Sequence, residues 1–380
     1  MSSQSRSKLK RFFIPCAAVA LTFQASQALA VNEVNSVVRD YDDGETQVVS
    51  PSIDITGTAY HDQLKIGAGW AADIVSSASV DVRSFGSKGQ NSRIGDRRVE
   101  YDFNAELTIP DGTLSAAYIQ SDENDYHSKI VSAGGSREFF SKNTVLGFTF
   151  SNGQDSIEES GVPTFHQAMN TQGYSISLTQ ILSRVSLINF LYDFRVESGY
   201  DASPYRRAIF IDSSGNATTQ PENHPETRNR NAMAVKYNWF SESMRTAFST
   251  TDRVYYDSWG VLSNTIEEKI NHDFGKHFNM AFVLRWYTQQ QASFYQPYYN
   301  SSSPGVFWTG NKTLASYNSY LGGVRPTIRF TDDFSIYLKY EWYTDVYKNT
   351  VDPGDLSNVK DGKLVKIVAN IYGLGMSAKF

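Results

Sequence analysis

The chain has 380 residues, 20% of them charged, with 40 acidic against 35 basic side chains and a formal net charge of −5. An acidic balance of this kind argues against nucleic acid as a partner. No stretch of the body of the chain reaches the roughly eighteen consecutive apolar residues of a membrane-spanning helix, a test that a β-barrel escapes because only alternate residues meet lipid.

Residues 1–30 read as a secretory signal peptide. Arg6, Lys8, Lys10 and Arg11 form a basic head, Phe12 to Phe23 an apolar run broken by Pro15 and Thr22, and Ala28-Leu29-Ala30 a small-x-small cleavage site. The run is too short to span a bilayer. The mature chain is then expected to begin at Val31, with 31–380 as one domain. The one cysteine, Cys16, falls in the leader, preceded by Phe13-Ile14-Pro15 rather than the small residues of a lipoprotein signal. An exported chain without cysteine forms no disulfide and no thiolate metal site. The leader takes four basic and no acidic residues with it, leaving a mature net charge of −9.

From there the pattern is strand after strand. Val99, Tyr101, Phe103, Ala105, Leu107 and Ile109 are apolar, while Arg98, Glu100, Asp102, Asn104, Glu106 and Thr108 are polar. Pro110-Asp111-Gly112 makes a turn, and Leu114, Ala116 and Tyr118 resume. Tyr320, Gly322, Val324, Pro326, Ile328 and Phe330 alternate with Leu321, Gly323, Arg325, Thr327 and Arg329. Beyond Thr331-Asp332-Asp333, Phe334, Ile336, Leu338, Tyr340 and Trp342 alternate with Ser335, Tyr337, Lys339, Glu341 and Tyr343. Strands this long exceed the usual globular five or six residues and match tilted bilayer spans of roughly 9–11. The expected strands are 33–41, 46–60, 63–75, 97–109, 113–121, 128–140, 144–152, 173–180, 185–197, 230–239, 244–256, 261–270, 278–288, 317–330, 334–344 and 364–380.

Short turns near 61–62, 110–112, 141–143, 181–184, 240–243, 271–277 and 331–333 alternate with links that are mostly longer, at 76–96, 122–127, 153–172, 198–229, 289–316 and 345–363, with tight ones near 42–45 and 257–260. Tight periplasmic turns and long outer loops are the rule for outer-membrane barrels. Both termini then lie in the periplasm, which requires an even strand number. The expectation is an all-β, transmembrane, antiparallel up-and-down barrel of about sixteen strands, fourteen and eighteen being the neighbouring counts. The 23 Tyr, 23 Phe and 6 Trp suit two aromatic belts. In the last strand Tyr372, Leu374, Met376, Ala378 and Phe380 alternate with Gly373, Gly375, Ser377 and Lys379. An aromatic end of this type resembles the signal by which barrels engage their assembly machinery.

Several local motifs carry a further resemblance. They are Asp73-Ile74-Val75-Ser76-Ser77-Ala78-Ser79, Gly199-Tyr200, Pro204-Tyr205-Arg206, Pro221-Glu222, Pro225, Thr227-Arg228, Arg253 to Gly260, and Arg285-Trp286-Tyr287-Thr288-Gln289 with Ala292, Phe294 and Tyr295. The chain is similar over nearly its whole mature length to a Gram-negative outer-membrane family of unknown function, DUF3570. The first outer hairpin, Tyr41 to Glu45, departs from it in lacking a basic residue. The resemblance implies an outer-membrane barrel and no activity. A loose association of such proteins with flavin-transfer and redox enzymes supplies an alternative role, a sheath or docking platform for a periplasmic redox protein or lipoprotein.

Functional candidates are the side chains on the polar parity: Arg98, Glu100, Asp102, Glu106, Arg253, Arg285, Arg325, Arg329, Lys339 and Glu341. Opposed charge ladders across a water-filled lumen set a transverse field that tunes which solutes pass; paired across a closed interior they would only rigidify it. The loop 198–229 is the expected constriction, through Tyr205, Arg206, Arg207, Glu222, Glu226 and Arg228, with an external cap as its other reading. Asp257-Ser258-Trp259-Gly260 reads as a tight outer turn with a rim Trp. His61, His127, His166, His224, His272 and His277 all fall in expected turns or loops, without metal or catalytic spacing. The acidic tip Asp122 to Asp125 lacks a calcium-loop pattern. Sequence therefore points away from an enzyme, a metal and a cofactor, and towards a porin-like channel for small polar or charged solutes in contact with outer-membrane lipid and lipopolysaccharide.

Overall fold

In the computed structural model, residues 30–44, 46–77, 94–348, 350 and 365–380 are described; residues 1–29, expected to be a leader, and most of the expected links 76–96 and 345–363 lie outside them. Nineteen strands follow in chain order: β1 (Ala30–Asp42), β2 (Thr46–Ala59), β3 (Leu64–Ser77), β4 (Ile94–Ile109), β5 (Gly112–Asp122), β6 (Tyr126–Phe139), β7 (Thr144–Glu158), β8 (His166–Ser183), β9 (Ser186–Gly199), β10 (Arg207–Ile211), β11 (Ala217–Pro221), β12 (Thr227–Ser241), β13 (Thr246–Asp257), β14 (Leu262–Asp273), β15 (Phe278–Gln289), β16 (Tyr299–Asn300), β17 (Tyr317–Arg329), β18 (Phe334–Tyr347) and β19 (Lys366–Lys379). Sixteen close into one antiparallel barrel, while β11, β10 and β16 form a separate three-stranded sheet. The seam runs from Glu33↔Lys379 to Asp42↔Asn370, so no edge is left unpaired.

Every expected strand is present. Several are longer than the alternation indicated, two of them most of all: the strand expected at 144–152 is Thr144–Glu158, and that at 173–180 is His166–Ser183, so the link between them shrinks to 159–165. Asn152, Gln154 and Ser156 on one strand and Asn170 and Gln172 on the other share the parity of the greasy positions below them. These upper halves are polar on both faces, as a strand is where it rises past the hydrocarbon. Pro110-Asp111-Gly112 forms its expected turn, with Asp111 at φ 61°, a left-handed conformation that Asp tolerates.

Register sets the interior. Followed once round the ring, strand partners return about sixteen residues displaced, roughly one residue of stagger per strand, which fixes a tilt of about 37° and a backbone radius of about 14 Å. Side chains reaching in from such a wall do not meet at the axis. Outward positions are greasy and exposed, among them Leu114, Val131, Phe148, Leu284 and Leu338. One interruption stands out: Asp252 and Glu268 share the outward parity of β13 and β14. Asn264 Nδ2 donates to Asp252 Oδ1 at 2.6 Å, and Thr250 Oγ1 donates to Glu268 Oε2 at 2.7 Å.

Candidate functional site: the lumen and its loop-filled mouth

All ten lumen candidates lie on the inward parity. Arg98, Glu100, Asp102 and Glu106 line β4; Arg253 and Arg285 come from β13 and β15; Arg325 and Arg329 from β17; Lys339 and Glu341 from β18. The interior is uneven around its circumference. On β5 to β8 two successive inner rows, Thr113↔Ser136↔Gly147↔Ser177 and Ser115↔Gly134↔Thr149↔Ser175, make a neutral stretch of hydroxyls and glycines. On the far side, six consecutive barrel strands each contribute a cation: Lys236, Arg253, Lys269, Arg285, Arg325 and Lys339. The arc diametrically opposite, β2 to β4, is mainly acidic, with Asp54, Asp73, Glu100, Asp102 and Glu106. Some charges are neutralised locally. Arg98 pairs with Glu100 at 2.7 Å, Lys269 with Glu267 at 2.6 Å, Lys339 with Glu341 at 2.8 Å and Arg329 with Asp273 at 3.0 Å.

The long-loop end is filled by two loops. Residues 200–226 carry the β10–β11 hairpin, whose β10 adds in parallel to β16 of the loop 290–316, and Asn223 bridges to Trp308. Sequence reading missed this sheet. Its core is Ala208, Phe210 and Tyr299, with Trp308 packed against it. Phe210 stacks on Tyr299 at 5.4 Å and meets Trp308 edge-on at 5.5 Å. A second core joins the other loop to the barrel rim through Trp259, Val261, Ala292, Tyr295, Leu314, Ala315 and Tyr347. Trp259, expected on the rim, is 2% exposed. The turn brings it inward, where its indole Nε1 donates to Thr227 O at 3.0 Å.

These loops are fastened to inward-facing side chains at the rim of the barrel. Gln289 points inward, and its Nε2 donates to Thr313 O at 2.7 Å and Ala315 O at 2.8 Å. Inward Arg228 donates through Nε (2.9 Å) and Nη2 (2.6 Å) to Asp257 Oδ2 and lies 4.2 Å over the Trp259 ring. Asp257 also accepts from Tyr255 OH at 2.7 Å and, through Oδ1, from the backbone of Trp259 and Val261 at 3.0 Å each. Beside it Arg230 Nη2 lies 2.7 Å from Glu197 Oε2, off the donor axis, and 3.7 Å from Asp201 Oδ2. Burial raises the Asp201 carboxyl above its ordinary range, against the pull of Arg230 and Arg228.

Of the constriction candidates, Glu222 and Arg228 are buried. Glu222 Oε1 accepts from Thr309 Oγ1 at 2.6 Å and Gly310 N at 2.9 Å, which ties the two loops together. Burial pushes Glu222 up, but His224 beside it and the Thr309 hydroxyl outweigh that and hold it below the usual carboxylate range. Tyr205 crosses to the neighbouring loops, its hydroxyl donating to Asp125 and accepting from Ser160 N, and burial with Asp125 pushes it up to about 12. Tyr205 and Arg206 line a recess with Glu123, Tyr126, Glu158 and Tyr200. Arg207 and Glu226 are exposed, Arg207 bonding across its hairpin to Thr219. His127, His166 and His272, expected in turns, sit near strand ends, and among the described residues no three acids, histidines or cysteines are grouped as a metal would need.

Comparison with known proteins agrees with this architecture. No curated protein matches the chain. The fold is similar to that of a bacterial polysaccharide outer membrane secretin, with TM-score 0.52 at 9% identity over 94% of this chain and 100% of that one. It is similar also to CdiB from Acinetobacter baumannii, with TM-score 0.52 at 10% identity over 93% of this chain and 61% of that one. Identity this low speaks for the outer-membrane barrel fold alone. Residues 76–174 and 163–370 match the model of a family described as a protein of unknown function, and the chain belongs to that family, DUF3570.

Proposed function

We propose that the protein is an outer-membrane channel for small polar or charged solutes, its outer mouth narrowed by the joined loops 200–226 and 290–316. The observation that carries this reading is the charged and hydroxylic inner face around a lumen too wide for its own side chains to fill. Cations on one arc facing carboxylates on the other give a transverse field, which favours solutes able to turn a dipole or charge into it. A sheath around a folded partner fits less well, because a 100-residue domain has a radius of gyration of about 13 Å and the wall itself stands at about 14 Å. No step of this reading requires catalysis. Planar-bilayer recording of purified protein is the test. Discrete conductance steps that grow when the cap strands 207–221 are replaced by a short linker are expected; a bilayer that stays silent at every voltage and pH sinks the proposal.

A further inference from the structure

The strongest unassigned feature is a cavity of about 680 Å³ on the inner wall formed by β14, β15, β17, β18, β19 and β1. Three register rows build it. The upper is Glu267↔Arg285↔Leu321↔Tyr343, the middle Lys269↔Val283↔Gly323↔Glu341↔Ile371↔Tyr41, and the lower Asn271↔Ala281↔Arg325. Val283, Leu321 and Ile371 are apolar on the face that should be wet, and Ile367 joins them in lining the cavity. Gly323 supplies no side chain at its centre, so Val283 and Glu341 close over it.

The charges around this strip do not cancel. Lys269 and Lys339 are held by Glu267 and Glu341 at 2.6 and 2.8 Å. Asp345, at the upper end of the lining, takes the Tyr343 hydroxyl at 2.6 Å, and its other oxygen is buried without a hydrogen-bond partner. Arg285 and Arg325 are left. Among the described residues neither has a carboxylate within ion-pair reach, and Arg325 lies 5.4 Å from the centre of the Tyr337 ring. Their backbones stand four residues apart along the wall, roughly 13 Å, with the apolar strip between them.

We infer that this cavity is a solute site for small organic anions, a carboxylate joined to an aliphatic or aromatic body. The carboxylate is taken by a guanidinium, which matches it in shape and charge, while the body lies on Val283, Leu321 and Ile371. Two guanidiniums in series let the anion be passed along rather than trapped, the condition for conduction. The inference deepens the channel reading by naming the solute class and relies on it only for the solute's route.

Saturation-transfer NMR on the detergent-solubilised barrel tests binding without requiring a current. The probes are 4-methylpentanoate, 4-methylpentylamine and leucine, which share a branched body and differ in charge. Transfer is expected to 4-methylpentanoate, strongest at its methyl groups, and at least fivefold weaker to the other two. The double variant Arg285→Gln/Arg325→Gln should weaken 4-methylpentanoate at least tenfold, and Leu321→Ser should weaken it while leaving acetate unchanged. Retained heat-modifiable gel mobility certifies a folded barrel. Equal or stronger binding of the amine or of leucine to the unmodified protein overturns the assignment whatever the variants do. So does undiminished binding by the folded double variant. A silent bilayer with intact anion binding would instead count against the channel alone.

Discussion

Replacing Arg228 by Met removes an ion pair between β12 and β13 at the rim, and with it the two points at which this side chain meets the mouth loops: Asp201 of the loop 200–226, at 3.8 Å, and the Trp259 ring that packs against Ala292 and Tyr295 of the loop 290–316. The guanidinium is 10% exposed, gives two hydrogen bonds to a fully buried Asp257 and covers the Trp259 ring. Breaking a buried ion pair from one side costs about 3–5 kcal/mol. Asp257 keeps its bonds from Tyr255 and from the Trp259 and Val261 amides, which places the loss near the lower end, about 3 kcal/mol. The β12–β13 ladder from Arg230↔Asp257 to Ser241↔Thr246 does not depend on this side chain, so the loss is felt at Trp259 and Asp201, through which the rim meets the loops. At about 1.4 kcal/mol per tenfold, transient opening becomes roughly a hundred times more frequent. Ala208, at 0% exposure in the small core of the loop sheet, is the place to read it. In a Cys16→Ser background, Ala208→Cys should react with a maleimide only when the sheet opens. Labelling should accelerate about a hundredfold with Arg228→Met, while urea unfolding of the barrel shifts little. A labelling rate within threefold of the parent would refute the idea that this ion pair seats the loops.

Acid should act on the same loops in two stages. The raised Asp201 carboxyl favours the closed form as pH falls through its folded value, whereas the lowered Glu222 withdraws stability only below the ordinary Glu value of about 4.3; limited proteolysis between 200 and 226 should therefore slow in mild acid and accelerate near pH 4, and steady acceleration from pH 7 downward would contradict it. Leu338→Arg, on the lipid face, should cost the barrel about 2–4 kcal/mol in vesicles, while Ser132→Arg on the inner wall should cost little and alter conductance; equal penalties would mean that the faces are misassigned. Glu268→Leu should stabilise the monomeric barrel by about 1–2 kcal/mol, and a loss of stability on urea titration would show that the acid is covered by a contact. Gly375→Val should displace the Tyr337 ring that lies over this glycine, at about 1–3 kcal/mol, visible as a lower unfolding midpoint; an unchanged midpoint would show that the ring has room to move.

The barrel was legible because one rule governs most of it. In β4 and β18 lipid and lumen demand opposite chemistry at successive residues, so alternation locates both the strand and its inner face. The rule fails in β7 and β8, where both surfaces above the bilayer are wet and the strand continues unseen. It fails again in the mouth, because pairing there is decided by contacts across nearly a hundred positions. Phe210 stacks on Tyr299, and Glu222 bonds to Thr309. Nothing local reveals these partners. A weaker signal was nonetheless present: Arg207-Ala208-Ile209-Phe210-Ile211 is an apolar run inside an otherwise polar loop, and buried loop apolars need a core of their own.

The inner wall makes the same point from the opposite direction. An interior built only to hold water has no use for Val283, Leu321 and Ile371, and β-propensity alone does not ask for them, since Thr and Ser serve on the wall across the lumen. Their presence gathers a break in the binary pattern into one patch, beside two guanidiniums without carboxylate partners among the described residues. Local breaks of a fold's own rule tend to mark function. Asp252 and Glu268 break it outward and Val283, Leu321 and Ile371 break it inward, on neighbouring strands of one arc. If that arc is where the protein acts, exchanging its inward apolar residues for serine should change which solutes pass while the barrel keeps its stability. Serine exchanges on the β5–β8 wall should change neither, and equal effects from the two walls would remove the arc's special standing.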